Sequence, residues 1–125
     1  MEDNTLLAHQ WRSVFELNGH EVTLTHNGED AVKLLKEEKF DLVVTDLFVP
    51  RARGGLHVVG QVLRMRRGAP PIIAVTGATR VKDEKDKTNF FLRQVEQLGV
   101  SATFEKPFPP AELLLKAEEF WKERE

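Results

Sequence analysis

Three short runs of strand-like sequence, separated by helical patterns and each ending on a polar residue, constrain this chain more than anything else in it. Leu42, Val43, Val44 and Thr45 lead to Asp46, and Pro71, Ile72, Ile73, Ala74 and Val75 lead to Thr76. A third run over about Val100 to Phe104 leads through Glu105 to Lys106. Short, continuous apolar runs suit strands covered on both faces. Strands alternating with helices imply parallel pairing through right-handed crossovers, an open α/β fold. Such folds place their chemistry outside the carboxyl ends of the strands. An acid, a hydroxyl and an amine at three successive strand ends therefore converge in one crevice, equipped to handle a phosphoryl group.

The rest of the chain fills in the alternation. Leu7, Trp11, Val14 and Phe15 recur at helical spacing, and Asn18-Gly19 supplies a left-handed stop, which predicts a helix over roughly residues 4 to 18. His20 to Thr25 alternates through Val22 and Leu24 like a strand, and Asn27-Gly28 reads as a turn. A second helix is predicted from about Glu29 to Glu38, with acids in its first turn. Leu56, Val59 and Leu63 mark a third, ending near Arg67-Gly68 before Pro70 and Pro71 bar continuation. Phe91, Val95 and Leu98 form a fourth stripe before Gly99. Pro109-Pro110 opens a last helix with Leu113, Ala117, Phe120 and Trp121 on its buried side.

Five helices accompany only four strands, and the missing strand belongs ahead of the first helix. The predicted fold is a flavodoxin-like doubly wound parallel sheet of order 2-1-3-4-5 with helices on both faces and the first strand missing or truncated. The absent strand would lie between those at 20 to 25 and 41 to 46, leaving unpaired edges inside the domain.

The 125 residues fit one domain, and a net charge of −2 argues against a broad nucleic-acid or membrane surface. The chain has no cysteine, which removes disulfides and thiolate metal sites and suits a reducing, cytoplasmic compartment. No run is apolar enough to cross a bilayer, and the polar start at Glu2, Asp3 and Asn4 does not read as a signal peptide. His9, His20, His26 and His57 share no metal-binding spacing. Arg51 and Arg53, near Asp46, read either as a lure for an anionic donor or as plain loop charges.

The segments D-L-V-V-T-D-L-F-V-P at 41 to 50, A-V-T-G-A at 74 to 78 and F-E-K-P-F at 104 to 108 resemble a response-regulator receiver domain of two-component signalling. The resemblance covers essentially the whole chain, so residues 1–125 read as a single receiver domain. It implies that Asp46 accepts a phosphoryl group, that Thr76 contacts that group through its hydroxyl, and that Lys106, followed by Pro107 after a cis peptide, pairs with it. It also implies Mg²⁺, held by the acids of M-E-D-N, Glu2 and Asp3, with Asp46 and the main-chain carbonyl of Phe48. Phe104 matches the family's switch aromatic, whose inward turn reshapes the face of the last two helices and the last strand. Two departures stand out: the hydrophobic strand before the acids is missing, with Met1 at the place of its last residue, and the interval from Thr76 to Lys106 is longer than usual. An incomplete start of the chain is one cause of the first.

The residue types suit this chemistry. Clustered carboxylates invite a divalent cation, and Mg²⁺ takes oxygen ligands and keeps several waters. Lysine brings a mobile positive charge and threonine a donor. Other readings of the same residues remain open: Glu2 and Asp3 as terminal charges or caps of the first helix, Asp46 as a turn former, Phe104 as core alone.

The expected function is a phosphoacceptor switch charged by a sensor histidine kinase or phosphotransfer protein and read by a downstream protein, not an enzyme. Nucleic acid and membrane are not expected as direct partners, and a homodimer stays open. The alternative is a pseudo-receiver, an interaction module that is not phosphorylated because its Mg²⁺ site is incomplete. A flavin or nucleotide enzyme would need a phosphate loop after the first strand, which is absent from the sequence.

Overall fold

The second strand, Ile72–Thr76, is buried along its whole length, and its side chains feed two separate cores. Ile72 and Ala74 join one cluster with Ala31, Leu35 and Val58, while Ile73 and Val75 join another with Trp11, Phe15 and Leu113. A strand with apolar layers on both faces has no polar face to show, hence its unbroken apolarity.

The structure, a computed structural model, describes residues 1–2, 4–47, 55–65, 68–77, 96–97 and 99–123. Asp3, Phe48, Arg51, Arg53 and the stripe of Phe91, Val95 and Leu98 lie outside the described residues. The order is α1 (Thr5–Leu17), α2 (Gly28–Glu37), β1 (Val43–Asp46), α3 (Gly55–Leu63), β2 (Ile72–Thr76), β3 (Ala102–Glu105) and α4 (Pro110–Glu123). The strands pair in parallel in the order β1-β2-β3, with Asp46 opposite Val75 and Thr76 opposite Glu105. Helices α1 and α4 pack together on one face, α2 and α3 on the other.

Local chemistry sets the helix ends. Asn4 caps α1 by accepting from the Leu7 amide at 3.0 Å, and Asn27 caps α2 by accepting from the Asp30 amide at 2.9 Å. Each such cap contributes about 1 kcal/mol. Asn27-Gly28, expected as a turn, is thus the start of a helix, because the Asn27 side chain supplies the acceptor that the first turn lacks. Helix α1 stops where Gly19 adopts φ +86°, a conformation that costs other residues steric strain. Pro110 opens α4, where a missing amide hydrogen costs nothing.

The expected strand over His20 to Thr25 does not join a ladder. Val22 and Leu24 are half-buried while Glu21 and Thr23 are exposed, so the alternation is present. Among the described residues, however, the main chain from Glu21 to Leu24 makes no hydrogen bond. The reason is its neighbour. Among the described residues, Met1 and Glu2 enter the space between this segment and β1 and behave as the end of a strand. The Met1 amino group donates to the Val44 carbonyl at 2.5 Å, the Met1 carbonyl accepts from the Asp46 amide at 2.9 Å, and the Glu2 amide donates to the Thr25 carbonyl at 3.1 Å. That is a parallel bridge to β1 on one side and a contact to residue 25 on the other.

Candidate functional site

The carboxyl ends of the three strands carry Asp46, Thr76 and, one residue past β3, Lys106. Lys106 is the hub. Its Nζ lies 2.8 Å from Asp46 Oδ2 and 2.5 Å from Glu2 Oε1, joining residues far apart in sequence. Its main-chain amide donates to the Thr76 carbonyl at 2.8 Å, and the peptide to Pro107 is cis.

Glu2 is buried, at 2% exposure, and so is not a frayed terminal charge. Its main chain is pinned on two sides: the amide to Thr25, and the carbonyl 2.8 Å from His26 Nδ1. Burial, followed by the hydrogen bond with Asp46, pushes the Glu2 carboxyl up to about 7 despite the opposing Lys106 charge. Burial acts to lower the Lys106 pKa, but the pairs with Asp46 and Glu2 outweigh it and the net shift is upward. The site therefore holds one firm positive charge against two carboxyl groups that compete for it.

Among the described residues, two buried oxygens at the site have no hydrogen-bond partner, Glu2 Oε2 and Thr76 Oγ1. A buried carboxylate oxygen without a donor, beside a second carboxylate, suits a hard cation. The described residues fit Mg²⁺ to that extent. Asp3 and Phe48, the other residues that the sequence assigns to it, lie outside the described residues. Among the described residues no three acids or histidines come together.

Phe104 is half-buried and sits 5.1 Å from Phe108, ring centre to ring centre, and Phe108 stacks on Trp11 at 5.9 Å. Lys106 Nζ lies 5.9 Å from the Trp11 ring. An aromatic row thus runs from β3 to α1 past the lysine. The sequence places Trp11 in the helix stripe and the resemblance matches Phe104 to the family's switch aromatic; the place of Phe108 directly after Lys106-Pro107 is the one hint that it links them.

This geometry brings an acid, a cation and an unpaired hydroxyl to one sheet edge. Compared with known protein families, the chain matches the response regulator receiver domain over residues 1–118. The chain belongs to that family. Among curated relatives, this receiver domain is 31% identical to the response regulator SaeR of Staphylococcus aureus (strain USA300) over 84% of its own length and 41% of the relative's. It spans less than half the length of the curated relatives it matches. Among solved structures it resembles a response regulator receiver protein from Sinorhizobium medicae WSM419, with TM-score 0.77 and 24% identity over 99% of this chain and 92% of that one. It also resembles the receiver domain of the sensor histidine kinase PA1611 from Pseudomonas aeruginosa PAO1, with TM-score 0.73 and 25% identity over 95% and 91% of the two chains. That structure has a magnesium ion coordinated in its active-site cleft.

Proposed function

We propose that this receiver domain is a phosphoacceptor switch, with Asp46 the acceptor, Lys106 and Thr76 the groups that hold the phosphoryl oxygens, and Glu2, Asp3, Asp46 and the Phe48 carbonyl the seat of Mg²⁺. The observation that carries the reading is Lys106 Nζ at 2.8 Å from Asp46 Oδ2 beside the unpartnered Thr76 hydroxyl.

In the transfer, an Asp46 carboxylate oxygen forms a bond to phosphorus as the P–N bond of a phosphohistidine breaks, and the released imidazole leaves with its proton restored from solvent. Bound Mg²⁺ would neutralise charge between the incoming phosphoryl group and the carboxylates. Lys106 Nζ can move from its carboxylate partners to a phosphoryl oxygen, and Thr76 Oγ1 can donate the hydrogen bond that it does not make without one. The new charge of roughly −1.5 to −2 then draws both residues inward. The aromatic row of Phe104, Phe108 and Trp11 would repack in response and present an altered face to a downstream protein.

The proposed partners are a sensor histidine kinase or phosphotransfer protein and a protein target, in the cytoplasm, with residues 1–125 acting as one domain. In this reading the phosphoryl group taken from the donor is stored and read by a partner, which is the work of a switch rather than of a turnover enzyme.

One observation favours the alternative, a pseudo-receiver that binds partners without phosphorylation: Lys106 Nζ bridges both described carboxylates, Asp46 and Glu2, where a cation would be expected to sit. Incubation with acetyl phosphate or beryllofluoride and Mg²⁺ separates the two. The switch requires an adduct on Asp46, located by mass spectrometry and lost in Asp46→Asn. Absence of any adduct at saturating Mg²⁺ favours the pseudo-receiver.

A further inference from the structure

The Glu2 carbonyl is taken by a side chain where a parallel ladder would supply a main-chain amide. The Glu2 amide donates to the Thr25 carbonyl at 3.1 Å. In a parallel pair the carbonyl of the same residue bonds two residues further along the neighbour, here to the Asn27 amide. That bond is not made. Among the described residues the Asn27 amide has no hydrogen-bond partner, because the chain turns there into α2. Asn27 is the N-cap of that helix, with its carbonyl accepting from the Ala31 amide and its side chain from the Asp30 amide. The donor is instead the neighbouring ring: His26 Nδ1 lies 2.8 Å from the Glu2 carbonyl oxygen. A carbonyl only accepts, so Nδ1 carries the hydrogen, in the neutral Nδ1–H tautomer and in the imidazolium alike.

This bond bears on the acids more than on the core. The His26 ring is exposed, and among the described residues the carbonyl is its one polar contact. The carbonyl that it holds belongs to the planar peptide joining Glu2 to Asp3, so rotating that peptide would turn the acid on either side of it. The Glu2 carboxyl is buried at 2% exposure, with Oε1 on Lys106 and Oε2 unpartnered among the described residues. A carboxylate so enclosed takes its direction from its main chain, and that main chain is fixed by Thr25 on one side and His26 on the other.

We infer that His26 is a positioning residue for the Mg²⁺ site: its Nδ1–H fixes the plane of the Glu2–Asp3 peptide and so keeps the Glu2 carboxylate pre-set for the cation. The inference rests on the proposed seating of Mg²⁺ by these acids and adds to it a residue that ligates nothing. Hydrogen bonds made from outside the ligand shell commonly change metal affinity by about tenfold or more.

The test uses the 125-residue chain and magnesium chloride alone, without a phosphodonor. Calorimetric titration reads the Mg²⁺ affinity directly. His26→Leu should weaken it about tenfold and leave the urea midpoint in Mg²⁺-free buffer unchanged, since the ring is exposed. His26→Asn should restore most of the affinity, because its amide nitrogen stands where Nδ1 does on a stem of the same length. A ring that served only to fill space would not be replaced by an amide. A second measurement needs no metal: at about pH 8.5, above the ordinary histidine range, NMR of the imidazole nitrogens should show Nδ1–H as the predominant His26 tautomer. Mg²⁺ binding by His26→Leu as tight as by the unaltered chain, an asparagine variant no better than the leucine one, or a predominant Nε2–H tautomer overturns the inference and leaves the Mg²⁺ site itself standing. Failure of the unaltered chain to take up Mg²⁺ overturns both.

Discussion

The carbonyl of Met1 accepts the amide of Asp46 at 2.9 Å, so the terminal residue fixes the backbone that aims the proposed phosphoacceptor. The adjacent Glu2 shares Lys106 with that same aspartate. Residues 1 and 2 and the site are mechanically one unit.

Removing the cation that Glu2 and Asp46 share should expose their mutual repulsion. Lys106→Met is expected to cost about 1–3 kcal/mol at pH 7, less than a fully buried pair because the lysine is partly exposed. Protonation of a carboxyl should recover much of this, so urea denaturation at pH 5 should show a smaller deficit. An equal deficit at both pH values contradicts the ion-pair account.

Stability should dip with pH around neutrality. The Glu2 pKa rises from 4.5 to about 7 on folding, so the folded state holds its proton more tightly and stability falls as pH rises between those values. Burial, opposed by the Glu2 and Asp46 charges, lowers the Met1 amino group from 8.0 to about 6, so stability rises again between about 6 and 8. Glu2→Gln should remove the falling limb and acetylation of Met1 the rising one, as read by the urea midpoint against pH.

Thr76→Val should separate folding from signalling. The hydroxyl is buried and has no hydrogen-bond partner among the described residues, so its loss is expected to leave stability within about 1 kcal/mol or raise it. The response of tryptophan fluorescence to beryllofluoride should disappear. A marked loss of stability would mean that the hydroxyl already has a structural partner.

Two leucines test the layer assignment. Leu113 has no exposure, and Leu113→Ala should cost about 2–5 kcal/mol. Leu17, 85% exposed at the end of α1, should tolerate alanine within about 0.5 kcal/mol. Chemical denaturation of both variants checks the contrast.

The sequence made the strand ends legible because buried parallel strands advertise themselves as apolar runs and their last residue is polar. Asp46, Thr76 and Lys106 needed only the alternation of elements to be brought to one edge. The segment from His20 to Thr25 was legible as a pattern but not as a ladder, since pairing depends on a neighbour and local periodicity says nothing of the neighbour's presence. Met1 was legible only through the resemblance, as the last residue of the first strand; its bonds are made by main-chain atoms, which every residue has, so no residue type announces them. The Trp11–Phe108 contact joins residues that no spacing rule relates, so it emerged only when the helix was docked on the sheet.

The placement of Met1 against β1 also decides how this protein is to be handled. An affinity tag fused ahead of Met1 would start between β1 and residues 20–25, beside Val44. Lys122 and Glu123 at the far end of α4 are exposed, and a tag appended beyond them leaves the strand edges and the Lys106 site untouched.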